Sequence, residues 1–399
     1  LLFFVILSPF LKIDKGEIDT RRSLHYNNEK LSQEANAMQI IQDRRALHRI
    51  PELDRSLPET LSYLKNALSA CNCQVFSPME QSLCAWFDFG AQSALAFRAD
   101  MDALPIAEKN RCDYVSTHPG KMHACGHDGH MAILLELARR LSRKTENPYN
   151  ILLVFQPAEE TTGGAKDLCK TGVFHKYNVE AIFGIHLWPG LYPGMIAARS
   201  NEMMARSCEV NVDISGKPAH IAKSWEGIDA LAAGVEFYRR AMAMETALPE
   251  RIFRLLKFGK MESGSVRNAI SGHTHMEGSL RAFQDEVFYT LRAGLVSIGK
   301  DIERIYGTAV SVEMNDGYPA VMNPPDLYRR VKKSVGFFEM DTPTMTAEDF
   351  SWYQKFLPGM FFFLGTGNSP ALHTDNFNFD EGILEKGADF FEELASKFQ

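Results

Sequence analysis

Four short, nearly unbroken apolar runs stand out along the chain: SALAFRAD (Ser93–Asp100), YNILLVFQPAEE (Tyr149–Glu160), VEAIFGIH (Val179–His186) and GMFFFLGTG (Gly359–Gly367). Runs of this length, bounded by turn residues, predict strands buried on both faces. Between the first two, HMAILLELARRLSRK keeps Ile133, Leu134, Leu137 and Leu141 at helical spacing, the mark of a helix with one face in a core. Strands separated by helices of this length imply an α/β domain with a mostly parallel central sheet and helices on both faces.

The middle of the chain has another rhythm. CEVNVDIS alternates, with Val210, Val212 and Ile214 on one face. A helical stretch (DALAAGVEFYRRAMAME) follows, then two strands (RIFRLLKFGKM and HTHMEGSLRAF). A long helix (DEVFYTLRAGLVSIGKDIERIYG) and a strand (AVSVEMND) complete the set. This βαββαβ order predicts a ferredoxin-like α+β unit, one antiparallel sheet backed by two helices. It interrupts the α/β pattern. The expected architecture is therefore a catalytic domain of residues 38–201 and 315–399, with residues 202–314 inserted as a lid. A length of 399 residues agrees with two domains. Residues 1–37 open with the apolar run LLFFVIL, which lacks a basic flank and a small-residue cleavage site. A bilayer span needs about 20 apolar residues, so this segment reads as an N-terminal extension; an added strand and a trimmed signal anchor are the alternatives.

Composition narrows the class. The apolar fraction of 45% and charged fraction of 23% are those of an ordinary globular protein. A net charge of −7 without a basic stripe argues against nucleic acid as a partner, and no membrane partner is expected. The 7 cysteines are odd in number, and Cys71 and Cys73 are too close for an ordinary disulfide. Both points favour a reducing, cytoplasmic setting.

Candidate chemistry gathers where strands end. The stretch MHACGHDGHM (Met122–Met131) carries three of the 12 histidines and one of the 7 cysteines, and it opens the helix. Glu159 and Glu160 follow one strand, His186 ends another, and His373 follows the Phe361–Phe363 strand by a short loop. Open α/β sheets place ligands beyond the carboxyl ends of their strands, so four separated segments are expected to converge. Cys125 and His127, two apart on a glycine-containing loop, can face one centre. A thiolate, imidazoles and a carboxylate suit zinc, manganese, cobalt or nickel. His123 and His130 are divided between structural roles and support behind a ligand. In PAEE an extended backbone would point the two carboxylates apart, one to hold metal and one to take a proton from water; a charged helix N-terminus is the plainer alternative. Asp102 is placed to orient a ligand histidine, with Asp100 a structural acid. A cysteine hydrolase using Cys125 remains a rival, but it leaves Glu159, Glu160, His186 and His373 without roles. A non-catalytic binding protein would be expected to have lost Glu159 or a ligand.

The segments RRALHRIPEL, FRADMDALPI, MHACGHDGH, QPAEETTGGAK, GIHLWP, GKPAH and ALHTDNFNFDE occur in the order typical of the aminoacylase and carboxypeptidase-G-like metallopeptidases. From about residue 40 to the C-terminus the chain resembles their amidohydrolase branch, which includes hippurate hydrolases, indole-acetyl-amino-acid hydrolases and N-acetyl-diaminopimelate deacetylases. The resemblance implies Cys125, His127, Glu160, His186 and His373 as ligands of one or two divalent ions, manganese or zinc first and cobalt or nickel after. It implies Glu159 as general base and later proton donor. It implies His220 as the group that steadies the oxyanion, with the partner subunit of a dimer as one source, and Asn268 and Arg281 as contacts to the substrate carboxylate or its surroundings. The implied substrate is an N-acyl-L-amino acid, N-acetyl or related (N-acetyl-diaminopimelate among them), and the implied assembly is a homodimer through the lid. A metallo-dipeptidase or carboxypeptidase of the same family is the competing activity. Three features depart from the family pattern: Ile50 in HRIPE where a second histidine is usual, Ser224–Trp225 where a Pro-His pair is frequent, and the N-terminal extension.

Overall fold

The computed structural model of the chain describes residues 38–399, so the extension expected at residues 1–37 lies outside the described residues. The apolar runs form the centre of an eight-stranded sheet. Asn150–Gln156, Ala94–Asp100, Val179–Trp188 and Gly359–Gly365 lie side by side in that order, all parallel. Leu83–Phe87 and Gln74–Phe76 extend one edge antiparallel, and Ile196–Ala198 and Phe338–Glu339 extend the other.

Alternation along single strands explains why both faces are covered. Leu95 and Phe97 point into one core with Ile133, Leu137, Phe362 and Phe391, while Ala96 points into the other with Val154, Ile182, Phe350 and Phe361. Helices His127–Leu141 and Leu384–Lys397 pack together over the first face; Ala165–Lys170 and the turn Asp349–Lys355 pack together over the second. All of Ala94–Asp100, Asn150–Gln156 and Gly359–Gly365 is buried. Buried parallel strands need no polar alternation. Among the described residues no helix is long and apolar enough to cross a membrane.

The inserted unit has the expected order. Arg206–Ser215, Arg254–Ser263, His273–Ala282 and Ala309–Met314 form an antiparallel sheet, backed by helices Ala230–Thr246 and Asp285–Tyr306. Val210, Val212 and Ile214 pack against Phe237, Phe288 and Leu291, leaving Ser207, Asn211, Asp213, His275 and Arg281 on the other side of the sheet. Asn201–Met204 and Val321–Asn323 pair where the chain enters and leaves this unit.

Candidate metal centre

Because the four central strands are parallel, their carboxyl ends share one edge, and the candidate ligands meet there. Cys125 Sγ lies 3.3 Å from His186 Nε2 and 3.3 Å from His373 Nε2. Glu160 Oε1 lies 3.3 Å from His373 Nε2 and 3.8 Å from His127 Nε2. His373, in a left-handed conformation at φ 61°, donates its main-chain N–H to Ala124 O at 2.9 Å, which ties its loop to that of Cys125. The helix begins at His127, three residues earlier than its apolar periodicity predicts. Its cap is Gly126 at φ 85°, where a Cβ would stand 2.8 Å from Leu187.

Second hydrogen bonds set the tautomers. His127 Nδ1 donates to the Asp102 main-chain carbonyl at 2.7 Å, and His186 Nδ1 donates to the Leu187 carbonyl at 2.7 Å. Each Nε2 therefore presents a lone pair to the centre, the arrangement metal-bound histidines use. Burial lowers the affinity of both rings for protons, keeping them neutral. His127 Nε2 and Glu160 Oε1 are buried without a hydrogen-bond partner. Two orphaned polar atoms aimed at one point, beside a thiol and two imidazoles, fit a divalent ion. Asp100, Arg98 and His130 form the wall behind it. His130 Nδ1 donates to Asp100 at 2.6 Å and its Nε2 accepts the Leu187 N–H at 2.9 Å, so His130 braces the His186 strand. His123 is buried with neither ring nitrogen paired.

The PAEE segment is not extended. The strand stops at Gln156, ahead of Pro157, and Ala158 turns the chain at φ 61°. This turn aims the N–H groups of Glu159 and Glu160 at the two oxygens of Asp102, at 2.9 and 3.0 Å. So the Asp102 carboxylate holds the turn, while its main-chain carbonyl, not its side chain, orients His127. The two glutamates still divide: Glu160 faces the histidines, and Glu159 also meets Glu348 and Asp349. Burial, with Glu348 and Glu160 beside it, pushes the Glu159 carboxyl far up, the direction suited to a proton acceptor.

These groups open into a cavity of about 540 Å³ lined by Cys125, Glu159, Glu160, His186, Trp188 and Arg281, among others. The family model for peptidase family M20/M25/M40 matches residues 96–397. The chain belongs to this family. It is 33% identical over 372 residues to an uncharacterized hydrolase of Staphylococcus epidermidis, covering 89% of this chain and 97% of the relative. An uncharacterized hydrolase of Staphylococcus aureus strain USA300 is 31% identical over 375 residues, covering 90% and 98%. Among solved structures, the Bacillus subtilis YXEP protein, a dinuclear metal-binding peptidase of the M20 family, superposes with a TM-score of 0.79 at 28% identity, covering 91% of this chain and 98% of that one.

As an M20-family hydrolase with this metal-binding fold, the protein leaves the cysteine-nucleophile reading without support. Burial, with Glu160 and Glu159 adjacent, pushes the Cys125 thiol well up, and burial pushes its neighbour His186 well down. A reactive thiolate needs the opposite environment. Two predicted residues do not reach the cavity. His220 and Asn268 are exposed and adjoin each other, with the Asn268 carbonyl accepting the Ile221 N–H at 3.0 Å. Arg281 pairs with Ser207 at the start of strand Arg206–Ser215, and His220 lies beyond its end. The eight steps from Ser207 to Ser215 span about 26 Å of strand, and His220 follows that far end.

Other residues at the site do not stand out in the sequence pattern. Arg98 is 1% exposed and joins Asp100, Glu348 and Asp349 at 2.8, 3.0 and 2.9 Å. An arginine inside an unbroken apolar strand was the available signal. Glu348, Trp188 and Tyr318 line the cavity, and only their place in three dimensions reveals it.

Proposed function

We propose that this M20-family hydrolase is a metal-dependent amidohydrolase that cleaves N-acyl-L-amino acids, with an N-acetyl or related acyl group, into a carboxylate and a free amino acid. The observation that carries the reading is the pairing, in one cavity, of the Cys125–His127–Glu160–His186–His373 donor set and buried Glu159 with a guanidinium that has no counter-ion among the described residues. Arg281 donates to the Met345 carbonyl and to Ser279 Oγ, and among the described residues no carboxylate pairs with it. A substrate α-carboxylate would supply that partner.

A divalent ion, manganese or zinc first, would polarise the amide carbonyl and acidify water when bound. Glu159 takes the proton of the attacking water and returns it to the leaving amine, while Arg281 holds the amino-acid end. His220 and Asn268 serve the site from a second subunit of a homodimer joined through the lid. Supporting this, Leu231, Val235 and Tyr238 form an exposed apolar stripe on helix Ala230–Thr246, 47%, 53% and 42% accessible. Arg254–Ser263 is an edge strand of the same sheet, and its Met261 is 39% exposed. A cytoplasmic setting accords with its 7 free cysteines.

The test is release of free amino acid from N-acetyl- and N-benzoyl-amino acids and from dipeptides. Each is assayed as purified, after chelation, and after adding manganese or zinc. Loss with chelator and recovery with metal on N-acyl substrates supports the reading. Preference for dipeptides with a free amino group would assign the peptidase activity instead, and chelator-indifferent hydrolysis would refute the metal mechanism.

A further inference from the structure

The segment that leaves the lid carries a side chain whose contacts the mechanism has not used. Tyr318 Oη donates toward two acceptors, the main-chain carbonyl of Glu159 at 2.9 Å and that of Thr161 at 3.1 Å. Its ring lies over Gly163, where a Cβ would meet Tyr318 Cε1 at 2.9 Å. Gly163 is also at φ 78°, so both the space and the backbone favour glycine there. The TTGG sequence after PAEE thus makes a floor for this ring.

Tyr318 is itself held from the lid. The adjoining Asn315 accepts the Glu209 N–H at 3.0 Å, and its carbonyl accepts Cys208 Sγ–H at 2.9 Å. Arg206 donates to the Asp316 carbonyl at 3.1 Å. At Gly317 a Cβ would collide with the Ser207 carbonyl, so the segment lies flat against the first residues of the lid strand. The glutamate turn is therefore gripped from two directions. Asp102 holds its N–H groups from the catalytic domain, and Tyr318 holds its carbonyls from the base of the lid.

We propose that Tyr318 is a positioning residue for Glu159: its hydroxyl, anchored on the lid side of the junction, fixes the main chain flanking Glu160 and so sets where the Glu159 carboxylate stands. The turn has a residue in the left-handed region at Ala158, a conformation that persists only where surroundings impose it. This inference rests on the reading of Glu159 as the general base.

Tyr318→Phe keeps the ring over Gly163 and removes only the hydroxyl. Displacements of about 1 Å at a reacting group cost on the order of 10²-fold in rate, so kcat is expected to fall at least about tenfold with KM changed by less than about twofold. Metal content per subunit is expected to be unchanged. Independently of activity, amide hydrogen exchange in a peptide spanning residues 157–164 of the metal-loaded protein is expected to quicken by about tenfold, with the rest of the chain unaffected. Unchanged exchange in that peptide, or unchanged kcat, would overturn the proposal. So would metal loss with a matching rise in KM, which marks a merely structural role. If the wild-type protein hydrolyses no substrate of the panel, the proposed function fails, and the exchange comparison alone decides whether Tyr318 grips the turn.

Discussion

Arg98 is a buried cation among three acids, and Arg98→Met tests what it does. Its guanidinium is 1% exposed and is the charge partner of Asp100, Glu348 and Asp349, with Gln156 on its Nε at 2.8 Å. Methionine fills much of the volume and removes the charge. Asp349 keeps Gln156 and the Ala165 N–H, Glu348 keeps the Phe350 N–H, and Asp100 keeps His130, so each acid retains a hydrogen bond but none has a full counter-charge. Removing one partner of a buried pair costs about 3–5 kcal/mol, against a total stability of about 5–15 kcal/mol. Burial already raises the Glu348 and Asp349 carboxyls, opposed by Arg98; without Arg98 they rise further. An acid whose folded pKa exceeds its unfolded value of about 4 holds a proton longer when folded. Stability therefore declines as pH climbs from that unfolded value toward the folded one, by up to about 1.4 kcal/mol per pH unit for each such group. The penalty of Arg98→Met should be smallest near pH 5 and grow toward pH 8. Urea unfolding of both proteins at pH 5, 6, 7 and 8, followed by tryptophan fluorescence, measures it. A penalty below about 1 kcal/mol throughout, or one that does not change with pH, would refute the account.

Other consequences are as direct. Arg281→Ala should raise KM for N-acyl amino acids by about 10- to 100-fold, the worth of a charge-assisted hydrogen bond, and should barely affect substrates whose carboxylate is amidated; equal losses on both would remove Arg281 from carboxylate recognition. His123, pushed down to about 3 by burial, takes up a proton more readily when unfolded, so its contribution to stability is intact above about pH 6.5 and is lost as pH falls toward 3. His123→Leu should therefore gain about 2 kcal/mol relative to wild type on going from pH 8 to pH 5, read by urea midpoints at the two values; no relative gain counts against a neutral buried ring. Mixing inactive Glu159→Gln and His220→Ala subunits under exchange conditions should restore about a quarter of wild-type activity if His220 acts across a two-fold dimer, whereas continued inactivity would place His220 elsewhere.

Much of this site was legible in advance because its candidate ligands sit at the ends of strongly patterned elements. The strand endings near His186 and Gln156 follow from apolar runs and local turn residues, the helix opening is legible to within a turn, and a parallel sheet brings such ends to one edge. The conformation of PAEE was not legible. An extended segment and the turn at Ala158 have the same local composition, and the Asp102 carboxylate, 57 residues away from Glu159 in sequence, decides between them. The role of Asp102 shifted for the same reason, since a carboxylate and a carbonyl on one residue can each face the site.

The sequence by itself determined the order of the elements, the sheet class and which residue types could act as metal donors, because burial periodicity and donor chemistry are local properties of residue types. Only the tertiary structure decided which of those donors are orphaned, that Arg98 sits among three acids contributed by two separated segments, and that His220 and Asn268 stay outside the cavity that Arg281 lines. Those are distances between residues far apart in the chain, set by strand register and by the path of the lid, and no short stretch of sequence contains them.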